Sequence, residues 1–184
     1  NVALVKLSVG KVNAASRTQA IIDDFCPDLV INTGIAGSLQ KEVHVLDVVL
    51  SESCVYHDFD ARIQEKFFPF RSRFIADEPI VQKAQATAAA IGMTHHVGTI
   101  ATGDLFVSDR ETKHRIAEQT GALCVEMEGA AVAHTAFINQ IPFLVIRTIS
   151  DNADDQAEMD YDTFEQKAAD QSAQFVEQLL QHIE

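Results

Sequence analysis

The stretch LCVEMEGAAVAHTAFIN, Leu123 to Asn139, changes its period in the middle. Leu123 to Met127 is an apolar run and reads as a buried strand. Ala130 to Asn139 reads as a helix. Between them stand Glu126 and Glu128, two carboxylates at the mouth of a strand, where an unpaired charge is costly. A strand running straight into a helix is half of a βα unit, and the same alternation recurs along the chain.

Outward from this point the pattern repeats. Val2 to Leu7 reads as a strand and Asn13 to Phe25 as a helix with Ala14, Ala20, Ile21 and Phe25 inside. Leu29 to Asn32 is a continuous apolar run, as in a strand covered on both faces. Leu46 to Ser51, Val97 to Thr102 and Phe143 to Ile149 are further strands. Asp77 caps a helix running from Pro79 to Ile91, and Asp109 caps another reaching Gln119. In the last helix Phe164, Ala168, Phe175, Leu179 and Ile183 fall near one face. The fold class is α/β with a mainly parallel sheet.

The chain has 184 residues, enough for one domain with a sizeable core. Its formal net charge of −13 argues against nucleic acid, whose backbone calls for clustered Lys and Arg. No apolar run approaches the roughly 20 residues of a membrane span, and no signal peptide is visible. Cys26, Cys54 and Cys124 are odd in number and widely spaced. They read as reduced core residues of a cytoplasmic protein.

The unusual residues collect at one edge. Gly34 and Gly37, Gly103 and Asp104, Glu126 and Glu128, and Ser150 and Asp151 all follow C-terminal ends of expected strands, the edge where α/β sheets bind ligands. NTGIAGS, Asn32 to Ser38, reads as a tight strand-to-helix turn, with a phosphate cradle as the alternative. YHDFD, Tyr56 to Asp60, offers His57, Asp58 and Asp60, but no H-x-x-x-H or C-x-x-C accompanies them, and no metal is expected. Glu128 suits the start of a helix, where free N–H groups and the dipole favour a carboxylate. That explains one glutamate and not two. Alternation puts Glu126 and Glu128 on the same face if strand geometry holds through 128. Arg147 is an interior cation that needs a carboxylate, either as a buried ion pair or as a clamp on ligand hydroxyls. The run Asp151, Asp154, Asp155, Glu158 and Asp160 is mostly a solvated acidic loop. Asp151 abuts the apolar run, so desolvation would raise its pKa towards proton donation.

With VEMEG at Val125 to Gly129 and RTISDNAD at Arg147 to Asp154, the chain resembles the 5′-methylthioadenosine/S-adenosylhomocysteine nucleosidases, in the nucleoside phosphorylase superfamily. NTGIAG at Asn32 to Gly37, TGDLF at Thr102 to Phe106 and SVGK at Ser8 to Lys11 fit the same family pattern, in order and at matching spacing. The resemblance implies a three-layer fold in which a mixed, mostly parallel central sheet is flanked by helices. It implies hydrolysis of the N-glycosidic bond of an adenine nucleoside, without a cofactor, by a homodimer. Asp151 would protonate or hydrogen-bond purine N7 and Ser150 would orient Asp151. Glu128 would grip the ribose hydroxyls, aided by Met127 and Arg147. Phe106 and Val107 would hold the base, Val9 and Tyr161 would line the sugar and 5′-substituent pocket, and Ala36 and Gly37 join the substrate site.

Three departures from the family qualify this. An upstream strand and a G-x-M-x-E-E segment, which supplies the water-activating glutamate in the family, have no match here, so residues 1–184 are expected to be one domain lacking the family's N-terminal segment. Ile35 stands where many members have Ser. The aromatic loop after the family's Y-H-D-x-D is replaced by FDARIQEKFFPF, Phe59 to Phe70, whose Phe67, Phe68 and Phe70 are candidates for a dimer interface. The alternatives are a purine or uridine phosphorylase on the same fold, which would carry an Arg just before the Gly-rich stretch, or a nucleoside-binding protein without turnover.

Overall fold

The computed structural model describes residues 1–154 and 156–183, apart from the side chain of Glu158. Asp155, and the Glu158 side chain of the expected acidic loop, lie outside the described residues. The elements run α1 (Lys11–Phe25), β1 (Val30–Ser38), β2 (Val48–Tyr56), α2 (Ala61–Lys66), β3 (Arg73–Ile75), α3 (Glu78–Ala90), β4 (His95–Thr102), α4 (Arg110–Thr120), β5 (Cys124–Glu126), α5 (Gly129–Ile138), β6 (Phe143–Asp151) and α6 (Ala157–Leu180).

The helix starts follow the expected chemistry. The Asp77 side chain accepts from the Ile80 N–H, with Pro79 in the first turn of α3. The Asp109 side chain accepts from the Thr112 N–H, and Gly121 ends α4 in the left-handed region. Ala168, Phe175 and Leu179 of α6 are fully buried, as the 3.6-residue period requires. In α1 the inner row is Ala14, Thr18 and Ile22, so the expected face was one residue out of phase and Phe25 is exposed. Cys54 and Cys124 are core residues, but Cys26 is exposed: it takes φ 45° just past α1, where the chain turns away before Pro27.

The six strands form one mixed sheet in the order β3-β2-β4-β5-β1-β6. The long ladders, β2 with β4 and β1 with β6, are parallel. β2 also pairs antiparallel with β6, which curls the sheet into a barrel-like closure that no local pattern announces. α1 packs on α5 through Ala14, Ala131 and Val132. α3 and α6 share the main core with the strands, through Val81, Ala84, Ala88, Phe175 and Leu179.

Two expectations fail here. Val2 to Leu7 is not a strand: it forms no ladder, Val2 and Leu4 are exposed, and Leu7 packs on the α1–α5 contact. An extended segment becomes a strand only when a neighbour takes up its N–H and C=O groups. NTGIAGS is neither a turn nor a cradle. It is the second half of β1, paired with β6 from Gly34 opposite Arg147 to Ala36 opposite Ile149. Its glycines serve close approach rather than turning.

Candidate active site

The parallel ladder of β1 and β6 breaks at its end. Ala36 faces Ile149, but the next residue, Gly37, faces Asp151, so Ser150 is the extra residue of a bulge. A bulge bends the strand and re-aims the side chains around it. Here it lets neighbours that would point to opposite faces meet: Ser150 Oγ donates to Asp151 Oδ2 at 2.8 Å. The Ala153 N–H donates to Oδ1 at 2.8 Å. Lys113 Nζ anchors the same loop by donating to the Asn152 carbonyl at 2.6 Å. Gly37 is required beside it, since a Cβ there would lie 2.7 Å from Asp151 Oδ1 and 2.9 Å from the Ala153 Cβ. Asp151 is 3% exposed, and burial pushes its carboxyl above the ordinary range despite the two donors. Burial of this kind favours the protonated carboxyl over the carboxylate.

The two glutamates diverge. β5 ends at Glu126, and Glu128 has already left strand geometry with φ −133° and ψ −40°. Glu126 turns inward and its side chain is 2% exposed, against 21% for Glu128. Its Oε2 accepts from the Glu128 N–H at 3.0 Å and the Gly129 N–H at 2.7 Å, so Glu126, not Glu128, satisfies the start of α5. Thr102 Oγ1 donates to Glu126 Oε1 and accepts from the Ala130 N–H at 2.8 Å. Arg147 Nη2 is paired with Glu126 and donates to Asn32 Oδ1 at 2.6 Å. Its distance to Glu128 Oε2 is 3.9 Å. The open question of two carboxylates and one arginine therefore closes on a buried ion pair behind the site, with Glu128 left over. Glu128 accepts the Gly10 N–H at 2.9 Å. Burial, then the Glu126 carboxylate, hold its pKa above the ordinary range.

A narrow cleft opens beside Asp151, lined by Gly37, Leu105, Phe106, Val107, Val125, Glu126, Met127 and Asp151. Five expected site residues thus meet in it: Gly37, Phe106, Val107, Met127 and Asp151. Tyr161 lies edge-on against Phe106, 5.7 Å between centroids, so it adjoins the aromatic side of the cleft. Val9 is exposed and precedes Gly10 on the Glu128 side. Ala36 is buried, and its carbonyl faces Ser150 Oγ at 3.4 Å. A larger, open concavity of about 480 Å³ between α6 and the N-terminal ends of β2 and β4 shares no lining residue with this cleft. Of the candidate metal residues, Asp58 pairs with Lys11, and Asp60 pairs with Arg62 and caps α2, while the buried His57 Nε2 has no hydrogen-bond partner among the described residues.

The phosphorylase superfamily model matches residues 1–181. The Staphylococcus aureus (strain MRSA252) 5′-methylthioadenosine/S-adenosylhomocysteine nucleosidase is 36% identical over 99% of this chain and 82% of its own length. The Streptococcus pyogenes S-adenosylhomocysteine nucleosidase, solved with 5-methylthiotubericidin, superposes with a TM-score of 0.93 at 32% identity, over 98% of this chain and 79% of that one. The Neisseria meningitidis 5′-methylthioadenosine/S-adenosylhomocysteine nucleosidase, solved with methylthio-immucillin-A, superposes at 0.89 with 36% identity, over 94% and 78%. The chain belongs to this nucleosidase family. Against the family pattern, Ile35 is a half-buried residue of β1 opposite Thr148. The replaced loop forms α2 and then exposes Phe67, Phe68 and Phe70.

Sequence reasoning missed the Gly10 N–H partner of Glu128 and the contacts among Lys11, Asp58 and Asp104 beside it. Gly10, Lys11, Asp58 and Asp104 were legible only as a family string, a paired motif and an edge residue. The one signal was the glycine itself, which sits at φ 95°.

Proposed function

We propose that the protein hydrolyses the N-glycosidic bond of 5′-methylthioadenosine or S-adenosylhomocysteine, releasing adenine and a 5′-thio-substituted ribose. The observation that carries this is the buried Asp151 carboxyl, held by Ser150 at 2.8 Å and opening on a cleft with Phe106. Its proton passes to purine N7, the C1′–N9 bond breaks with its electrons going to the base, and water adds at C1′ with loss of one proton to solvent. Phe106 and Val107 hold the base by stacking and backbone hydrogen bonds. Glu128 binds the ribose hydroxyls, and its negative charge favours the cationic sugar of the transition state. Met127 lies between base and sugar. Arg147 acts from behind, by fixing Glu126. The test is adenine release from methylthioadenosine by the full-length protein, with and without phosphate. Release independent of phosphate supports hydrolysis. Release only with phosphate makes the enzyme a phosphorylase, and binding without release removes the activity.

The protein acts as a homodimer. Phe67, Phe68 and Phe70 are 56%, 71% and 66% exposed and do not fold back into their own core, and Phe59 and Ile63 extend the patch. Light scattering at micromolar concentration should give twice the monomer mass, and a monomer would overturn this. Its place is the cytoplasm, in keeping with the unpaired Cys26, Cys54 and Cys124. No described helix is long and apolar enough to cross a membrane.

A further inference from the structure

Helix α1 begins badly by ordinary standards. Its cap is Gly10, which makes no side-chain cap bond, and its first turn holds no acidic residue. Its first residue is Lys11, a cation at the positive end of the helix dipole. Gly10 sits at φ 95°, where a side chain is strained, and a Cβ there would lie 3.2 Å from Asp104 Oδ1. Helix stability does not explain this choice of residues.

Their contacts do. The Lys11 N–H donates to Asp104 Oδ1 at 2.9 Å. Lys11 Nζ lies 2.7 Å from Asp58 Oδ2 and 3.5 Å from Asp104 Oδ2. The Asp104 N–H donates to Asp58 Oδ2 at 2.9 Å. Asp58 follows β2, Asp104 follows β4 and Lys11 opens α1, so one interlock ties three elements together. At its centre the Gly10 N–H is aimed at Glu128 Oε1 at 2.9 Å. The groups facing Glu128 are this N–H from the loop before α1, the Met127 backbone beside it, the Glu126 carboxylate from β5, and Arg147 from β6. The Gly10 N–H belongs neither to the ion pair nor to the β5–α5 connection, so it can be loosened without disturbing the core.

We infer that Lys11, Asp58 and Asp104 are positioning residues that hold the Gly10 N–H on one oxygen of Glu128, leaving its other oxygen turned to a sugar diol. The inference rests on the proposed nucleosidase reaction for its sugar but not for its geometry. The N–H favours the ionised form of Glu128, against burial and against Glu126. Loosening the interlock therefore moves the titration of Glu128 upward, and the acid limb of activity with it.

The test uses Asp104→Ala and Asp58→Ala in the full-length protein, with thermal melts to show that each folds. Carbon-13 NMR of the glutamate carboxyls reads Glu128 without any substrate, Glu128→Gln supplying the assignment. Each variant removes a nearby negative charge, so a bare Coulomb effect lowers the Glu128 pKa, whereas loss of the interlock raises it. An upward shift supports the inference, and a downward shift or none overturns it. With adenosine and 2′-deoxyadenosine, the preference for the ribonucleoside should fall roughly tenfold, as for losing one hydrogen bond to a charged group. A variant slowed equally on both sugars, with the acid limb unmoved, makes the interlock merely structural and overturns the inference. If the unmodified protein releases no adenine, the proposed reaction fails, while the NMR titration still decides the inference.

Discussion

Asp151, which lines the cleft, and Glu128, which follows the cleft residue Met127, are held in opposite ways. Asp151 takes its hydrogen bonds from Ser150 and Ala153, its immediate neighbours in sequence. Glu128 takes its bond from Gly10, 118 positions away. Both carboxyls are pushed above the ordinary range, and burial is the first cause in each. They differ in what is left to control them. A short turn on a bulged strand sets Asp151, whereas the packing of α1 against the ends of β2 and β4 sets Glu128. The Asp151 end is thus locally encoded, and the Glu128 end depends on the assembled fold.

The largest effect expected from this contrast is at Asp151. Asp151→Asn should lower adenine release by about 100- to 10,000-fold, as for loss of a general acid, while nucleoside binding persists. Near-normal turnover would remove Asp151 from the chemistry.

Behind the Glu128 end lies the buried pair. Glu126→Gln leaves Arg147 charged and unmatched in the core and should cost about 3–5 kcal/mol of stability, read by denaturant unfolding. A variant within 1 kcal/mol of the unmodified protein, by the same reasoning, would mean the pair does not organise the sheet edge. Glu128→Gln should be milder for the fold and more selective in function. Losing one charged acceptor corresponds to roughly 10- to 100-fold in kcat/KM, and 2′-deoxy substrates should lose less than ribonucleosides. Equal losses on both sugars would break the assignment.

Gly37→Ala presses on the other end. The added methyl meets Asp151 and Ala153 and should destabilise by about 1–3 kcal/mol. The kcat should fall with the sugar preference unchanged, because Asp151 moves and Glu128 does not. A changed ribose preference would show that the two ends are coupled.

The smallest expected effect is a pH dependence of stability. The Asp151 pKa is raised by folding, so folding favours its protonated form. Its ionisation therefore costs stability at neutral pH, and that cost disappears as pH falls through the raised value towards 3.8. Asp151→Asn should be relatively more stable at neutral pH, with its advantage over the unmodified protein shrinking on acidification. An advantage that grows instead would mean that Asp151 is ionised and well paired in the fold.

Local chemistry was legible in the chain from the start. The caps Asp77 and Asp109, the buried row of α6 and the alternation of strands and helices depend on neighbours within a turn or two, and the structure has them as expected. The hydrogen bond from Ser150 to Asp151 is also present, but it was implied by the family resemblance and depends on the bulge opposite β1. What failed needed a partner from elsewhere in the chain. NTGIAGS reads as a turn because it is rich in glycine, yet it is a strand because β6 runs beside it. Val2 to Leu7 has strand composition and no ladder. Alternation would have kept Glu126 and Glu128 together, but the strand ended one residue after Val125, at Glu126. Glu126 then went to the helix start and Arg147, and Glu128 to Gly10. Propensity and spacing act over a few residues, so a single sequence states them directly. Which donor meets which carboxylate across 118 positions, and where a sheet closes on itself, is decided only when burial brings the elements together and every polar group there must find a partner.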